Sequence, residues 1–169
     1  MPEQREGGQR HTFAVLVENH FGVLGRITGL FSARGFNIES LCVAETEDPS
    51  VSRITLVTEG DDKILEQVQK QLNRLIDVIK VTDLHEEPYV DRELVLIKVA
   101  AENDTRAEVL RLAEIFRAKI VDVTPKTYVI EVTGDEGKVQ AAIELLKPFG
   151  IKEMVRTGKI AIARGQRVL

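Results

Sequence analysis

Runs with the period of a strand and runs with the period of a helix follow one another in one fixed order along this chain, and the order occurs twice. In the first half Phe13, Val15 and Val17 alternate with Ala14 and Leu16, and then Val23, Leu24, Ile27, Leu30 and Phe31 recur at helical spacing. Phe36 to Ala44 reads as a second strand, Asp48-Pro49-Ser50 as a turn, and Ser52 to Thr58 as the strand that returns antiparallel. Gly60-Asp61-Asp62 opens a helix whose Ile64, Leu65, Val68, Leu72 and Leu75 share a face, and Ile76 to Leu84 supplies a fourth strand. An order of strand, helix, strand, strand, helix, strand folds as an antiparallel sheet with two helices on one face. The class expected is therefore α+β, with two consecutive ferredoxin-like βαββαβ domains.

The segment His85-Glu86-Glu87-Pro88-Tyr89 interrupts the pattern, because proline restricts both itself and the residue before it. Beyond it Glu93 to Ala100 reads as a strand, and Thr105 to Arg117 as a helix with Val109, Leu112, Ala113 and Phe116 on one face. Ile120 to Thr124 and Thr127 to Thr133 read as strands around Pro125, Lys138 to Leu146 as a helix, and Ile151 to Ala163 as a last strand pair or one long bent strand. Two short likenesses support the repeat: Leu30-Phe31-Ser32-Ala33-Arg34 with Ile115-Phe116-Arg117-Ala118-Lys119, and Val57-Thr58-Glu59-Gly60-Asp61 with Val132-Thr133-Gly134-Asp135. The boundaries expected are a flexible tail at 1–10, a first domain at 11–85, a linker at 86–91 and a second domain at 92–169. Each sheet leaves a face and its edges in need of cover, which pairing with a second copy would supply.

Chemistry is sparse. A net charge of −4 lacks the dense basic field of a nucleic-acid binder, and only Tyr128 offers a ring on the central strands for stacking RNA bases. The single cysteine, Cys42, excludes an internal disulfide and reads as a semi-buried inert thiol in a reducing cytoplasm. Met1 to Arg10 has no apolar core of the kind a secretory signal needs, and no later run is long enough to span a bilayer. His11, His20 and His85 fall in a tail, a loop and a linker without the spacing of metal ligands. Gly158-Lys159 lacks the rest of a phosphate loop, and neither a nucleophile elbow nor an acid/base pair stands out. No catalytic residue and no metal ligand is expected.

The turn Asn19-His20-Phe21-Gly22-Val23-Leu24-Gly25-Arg26, between the first strand and the first helix, has the makings of a small-ligand clamp. Gly22 has no Cβ, so a ligand can approach the backbone there and meet the first free N–H groups of the helix. A carboxylate at such a place gains about 0.3–1 kcal/mol, and up to about 2 when partly buried. Asn19 adds an amide with both donor and acceptor, which suits a zwitterionic amino acid. The alternative is an ordinary capped turn with Asn19 as N-cap. Gly25 and Gly29 each cost the helix about 1 kcal/mol relative to alanine, which close packing against another backbone, such as the same helix of a second subunit, would offset.

The run Arg34-Gly35-Phe36-Asn37-Ile38-Glu39-Ser40-Leu41, placed between the clamp and Ser52-Arg53-Ile54-Thr55, strongly resembles the small regulatory subunit of acetohydroxyacid synthase, also called acetolactate synthase. The likeness extends through Glu66 to Leu72, Leu75-Ile76-Asp77-Val78, Arg92-Glu93-Leu94 and Glu114 to Val123, nearly the whole chain. The resemblance implies that the first domain is an ACT domain, an amino-acid-binding module, and that the second is another ferredoxin-like domain. It also implies a non-catalytic role. The subunit activates a catalytic partner that carries thiamine diphosphate, magnesium and FAD, and it confers feedback inhibition by valine in branched-chain amino-acid biosynthesis. The effector-binding set expected on this resemblance is Asn19 and Gly22 with Val23 and Leu24 at the helix start, together with Asn37, Ile38, Leu41, Cys42, Val43 and Ala44. His20-Phe21 stands where the family commonly has a small or acidic pair, and Cys42 where it has threonine. A homodimer in the cytoplasm is expected, with valine or another branched-chain amino acid as effector. The other reading is a freestanding ACT-type amino-acid sensor without an enzyme partner.

Overall fold

The computed structural model describes residues 8–169, which fall into two units: the described residues up to Val90 together with Lys159–Leu169, and Asp91–Gly158. Of the tail expected at 1–10, residues 1–7 lie outside the described residues; Gln9 and Arg10 belong to the first strand, paired with Gly60 and Glu59, and so are not part of a tail.

In the first unit, strands β1 (Gln9–Glu18), β2 (Ser40–Glu45), β3 (Val51–Gly60) and β4 (Val78–Asp83) form an antiparallel sheet in the order β2-β3-β1-β4. Helices α1 (Val23–Ala33) and α2 (Asp62–Asn73) supply the rest of the βαββαβ order. Phe13, Val15 and Val17 of β1 and Ile54 and Leu56 of β3 form one core with Ile27, Phe31, Leu65, Val68 and Leu72 of the helices. Each side chain buried there contributes roughly 1.5–3 kcal/mol. Asp61 caps α2 by accepting from the Ile64 N–H at 2.8 Å.

The strand expected from Phe36 begins only at Ser40. The reason is the way α1 stops: Gly35, at φ 69°, donates to Ser32 O at 3.2 Å and Phe36 donates to Phe31 O at 3.0 Å, a Schellman closure. The Phe36 ring folds back edge-on to Phe31, 6.0 Å between centroids, so an apolar residue that looked like the start of a strand closes a helix.

In the second unit β5 (Tyr89–Ala100), β6 (Lys119–Val123), β7 (Thr127–Gly134) and β8 (Ile151–Arg156) pair in the order β6-β7-β5-β8, with α3 (Arg106–Ile115) and α4 (Glu136–Leu146) completing the second βαββαβ set. Val95, Ile97, Val99, Ile130 and Val132 pack with Val109, Val139 and Ala142, and Arg156 grips the buried Glu93 with two bonds of 2.7 and 2.8 Å. Gly134-Asp135 repeats the role of Gly60-Asp61: Asp135 accepts from the Lys138 N–H at 2.9 Å, and a Cβ on either glycine would fall under 3.0 Å from the side chain four residues on. The likeness between Leu30–Arg34 and Ile115–Lys119 is out of register, since Phe31 lies within α1 and Phe116 is the cap of α3.

Two further expectations are corrected. The linker at 86–91 is mostly ordered structure, because Leu84–Glu86 form a 3-10 turn capped by Asp83 and β5 already starts at Tyr89. The second domain does not run to 169: after β8, residues 159–169 belong to the first unit and include a short strand, β9 (Ile160–Ala163). Ala161 packs with Ala14 and Leu84, beside Tyr89, Ala163 and Leu169, on residues that an antiparallel sheet with helices on one side leaves facing outward. Among the described residues no helix is long and apolar enough to cross a membrane.

The two first helices end in the same way with different residues. Arg117 donates to Glu114 O at 3.0 Å and Ala118 to Ala113 O at 2.8 Å, so Arg117, at φ 51°, occupies the left-handed position that Gly35 fills in the first unit. A side chain there costs about 1–2 kcal/mol, part of which glycine returns as greater freedom of the unfolded chain. Arg117→Gly is expected to stabilise by up to about 1 kcal/mol and Gly35→Ala to destabilise by about 1 kcal/mol, read from urea denaturation midpoints.

Candidate functional site

Helix α1 starts without a side-chain cap. Its N-cap is Gly22, at φ 86° and ψ −9°, and its first turn contains no acidic residue. The alternative in which Asn19 caps the helix is thereby set aside. The Asn19 amide turns to the β2–β3 hairpin instead, donating to Glu45 Oε1 and to Pro49 O, each at 2.9 Å, while its backbone N–H donates to Ser50 O at 2.8 Å. Asn19 thus holds the hairpin next to the open helix start. Val23 is buried in the core and offers the site only its backbone, whereas Leu24 is exposed.

The rest of the expected set lies elsewhere in the unit. Asn37 is exposed, and its carbonyl accepts from Thr58 Oγ1 at 2.5 Å. Ile38 and Leu41 pack against the core beneath the helices. Register divides β2 between the two faces of the sheet: Leu41 and Val43 stand opposite the core residues Leu56 and Ile54, while Cys42 and Ala44 stand opposite Thr55 and Arg53 on the reverse face. Cys42 is a half-buried free thiol.

The two asparagines sit at opposite ends of this unit. Asn19 follows Glu18, which pairs with Val51 at one end of β3, whereas Asn37 is tied to Thr58 near the other. At about 3.4 Å per residue those ends are roughly 20–25 Å apart, several times the length of an amino acid. The structure therefore groups Asn19, Gly22, Val23 and Leu24 at the start of α1 and Asn37 and Ile38 beyond its end, and it does not bring the two groups together within one chain.

Beside the helix start lies an ionic cluster that sequence reasoning missed. Arg26 Nε donates to Asp77 Oδ2 at 2.6 Å, and His20 Nε2 lies 3.0 Å from Asp77 Oδ1 and 3.2 Å from Glu18 Oε2. The Glu18 backbone N–H donates to Asp77 O at 2.9 Å, which fastens β1 to the approach to β4. The Arg26 guanidinium holds the buried Asp77 carboxyl below its ordinary value. His20 is raised above its own, first by the bond to the Phe21 carbonyl and then by Glu18 and Asp77, against the opposing effect of burial. Ligand atoms of Glu18, His20 and Asp77 lie within 4.8 Å of one another, the spacing of a cation site, yet Arg26 already supplies a positive charge to Asp77. His20, which the sequence places in a loop, is a member of this network. The one local signal was the charged Asp77 between the apolar pairs Leu75-Ile76 and Val78-Ile79; its partners lie more than fifty positions upstream, where no periodicity points to them.

Comparison with known proteins agrees with both units. Residues 13–80 match the family described as the AHAS small subunit-like ACT domain, and residues 92–165 match the family described as the small subunit of acetolactate synthase. A probable acetolactate synthase small subunit of Archaeoglobus fulgidus is 57% identical over 158 residues, which cover 94% of this chain and 99% of that protein. The acetolactate synthase small subunit of Aquifex aeolicus is 56% identical over 168 residues, 96% of this chain and 88% of that protein. The crystal structure of the acetolactate synthase small subunit from Thermotoga maritima superposes with a TM-score of 0.84 at 42% identity, covering 94% of this chain and 99% of that one.

The cluster generates a pH dependence with two signs. Because the Asp77 carboxyl is lowered in the fold, its stabilisation is present above the ordinary value of 3.8 and is lost as pH falls through the lowered one. Because His20 is raised, its stabilisation is present below 6.5 and is lost as pH rises through the raised value. In urea denaturation, the deficit of Asp77→Asn is expected to persist down to about pH 5 and shrink below about pH 4. The deficit of His20→Gln is expected to be larger at about pH 6 than at about pH 9, and equal deficits at both would remove His20 from the network.

Proposed function

The chain belongs to the acetolactate synthase small-subunit family, and we propose from that premise that it is the non-catalytic regulatory subunit that activates the thiamine-diphosphate-dependent catalytic subunit and makes it sensitive to valine. In this reading thiamine diphosphate, magnesium and FAD belong to the catalytic partner, the complex works in the cytoplasm, and this chain contributes no group to the chemistry. The observation that carries the reading is the separation of the two halves of the candidate site at opposite ends of one unit. Two copies related by a two-fold axis, with their β2 edges or their α1 helices antiparallel, bring Asn19 and Gly22 of one protomer to Asn37 of its partner and so make two equal sites. Edge position supports this arrangement, since among the described residues β2 pairs only with β3, and Val43 is 40% exposed on it. The open space around Gly25 and Gly29 on α1 supports it too, because nothing among the described residues lies within 4 Å of a Cβ there to offset the cost of those glycines.

An amino acid bound there meets the uncapped N–H groups of α1 with its carboxylate and the Asn37 amide with its polar end. Affinity in the range of roughly 10–100 µM corresponds to about −5.5 to −6.8 kcal/mol, of which a valine side chain at about 0.8 kcal/mol per carbon supplies about 2. The polar ends supply much of the rest. Regulation then follows from linkage: valine shifts the dimer toward the arrangement it binds better, by no more than its difference in affinity for the two, and the catalytic subunit responds through contact.

Asn19→Ala and Asn37→Ala are expected to weaken valine binding by about 1–3 kcal/mol in calorimetry, and Gly22→Asp by more, because it places a charged side chain at φ 86° where the carboxylate sits. Each variant should still raise the turnover of the catalytic subunit while losing feedback, whereas the chain without that subunit should make no acetolactate. Unchanged affinity in all three variants would leave the clamp an ordinary turn, and failure to activate any catalytic subunit would favour a freestanding sensor. Val43→Lys is expected to weaken the dimer tenfold or more by sedimentation, about 1.4 kcal/mol, and an unchanged dimer would move the interface away from β2.

A further inference from the structure

We propose that residues 159–169 are a releasable strap that keeps strand β2 ordered and thereby sets how firmly the first unit holds its effector, an inference that rests on the regulatory reading above. These residues lie on the sheet of the first unit on the side away from its core helices, where Ala161 meets Ala14 and Leu84. The inward side chains of β9 are the small Ala161 and Ala163, whereas Ile160 and Ile162 are 53% and 59% exposed, so the contact is shallow.

The strap is fastened to the β2–β3 pair through side chains. The Lys159 N–H donates to Ser40 Oγ at 3.0 Å, and Arg53 Nη2 donates to Ala161 O at 2.6 Å. Further along, the Arg164 N–H donates to Pro88 O at 3.1 Å, Lys80 Nζ to Val168 O at 3.4 Å, and Arg167 pairs with Glu87. The four-residue strand β9 also pairs with β5, and outside that short ladder residues 159–169 are held by these scattered bonds; a short, shallow segment of this kind opens locally at lower free energy than the core around it.

Two of these anchors bracket β2. Ser40 is its first residue, and Arg53 is the register partner of Ala44 near its far end. Among the described residues β2 is an edge strand bonded on one side only, by β3, so the strap reinforces it directly at Ser40 and, through its β3 partner Arg53, near Ala44. Release of the strap frees both anchors at once, and a loosened β2 must then be re-ordered at the expense of effector affinity.

Hydrogen exchange and calorimetry with valine as probe test this on the full chain carrying Ser40→Ala with Arg53→Met, and on a chain ending at Gly158. The expected result is exchange at least tenfold faster for the amides of Leu41 to Glu45, unchanged protection in α2, and valine affinity at least fivefold weaker. Unchanged β2 protection in the double variant would overturn the proposal, and so would faster exchange with unaltered affinity. If the shortened chain does not fold, the double variant decides. If the unaltered chain binds no valine, the regulatory reading fails by itself, and the exchange measurement still shows whether the strap orders β2.

Discussion

The antiparallel ladder between β1 and β3, ten residues long from Gln9 opposite Gly60 to Glu18 opposite Val51, is the constraint on which the first unit depends. It is central in the sheet, so its alternation assigns one set of side chains to the core beneath the helices and the other to the reverse face. A shift of one residue would exchange the two sets, exposing Phe13, Val15 and Val17, which is why the register is so strongly specified. The ladder also sets a distance. It carries Asn19 at one end and Thr58, with Asn37 bound to it, near the other, and so divides the candidate site before any ligand is considered.

The second unit repeats the plan with different chemistry at the corresponding helix start. Where α1 begins at a bare Gly22, α3 begins beside Arg106, whose Nη1 reaches the carbonyls of Ala101, Thr124 and Pro125 at 3.4, 3.1 and 2.9 Å while its guanidinium lies 4.8 Å from the Tyr128 ring centre. At Gly22 a Cβ would instead meet the Arg26 guanidinium at 3.2 Å, so the two helix starts hold their arginines differently. The same topology therefore carries different residues at the two corresponding helix starts, Gly22 in one unit and a tethered Arg106 in the other.

Charge near the candidate site is arranged for support. Asp77 is buried and would be costly alone, but Arg26 bonds one of its oxygens and His20 faces the other. The result fastens the approach to β4 to the start of α1, and it leaves the N–H groups of α1 without a protein anion of their own in the first turn. At the far end of β1 the same economy recurs, where His11 Nδ1 lies 2.5 Å from Asp83 Oδ2 and its ring stacks on His85 at 4.2 Å. The sequence had suggested that these two histidines belonged to a tail and a linker.

What the amino-acid sequence determined by itself was local: the alternation of Phe13 to Val17, the helical spacing of Ile64 to Leu72, the capping Asp61 and Asp135, the glycine at the start of α1, and the repeat that these produce. Each of these depends on neighbours within a turn or a strand, and the order of elements followed from them. The tertiary structure decided what depends on partners far along the chain. It turned Phe36 from a strand residue into the closure of α1, directed Asn19 to the hairpin, joined Arg26 to Asp77, and returned residues 159–169 to the first unit. It also decided which face of β2 each candidate residue occupies, because register is set by pairing with β3, and periodicity within β2 is the same for either face.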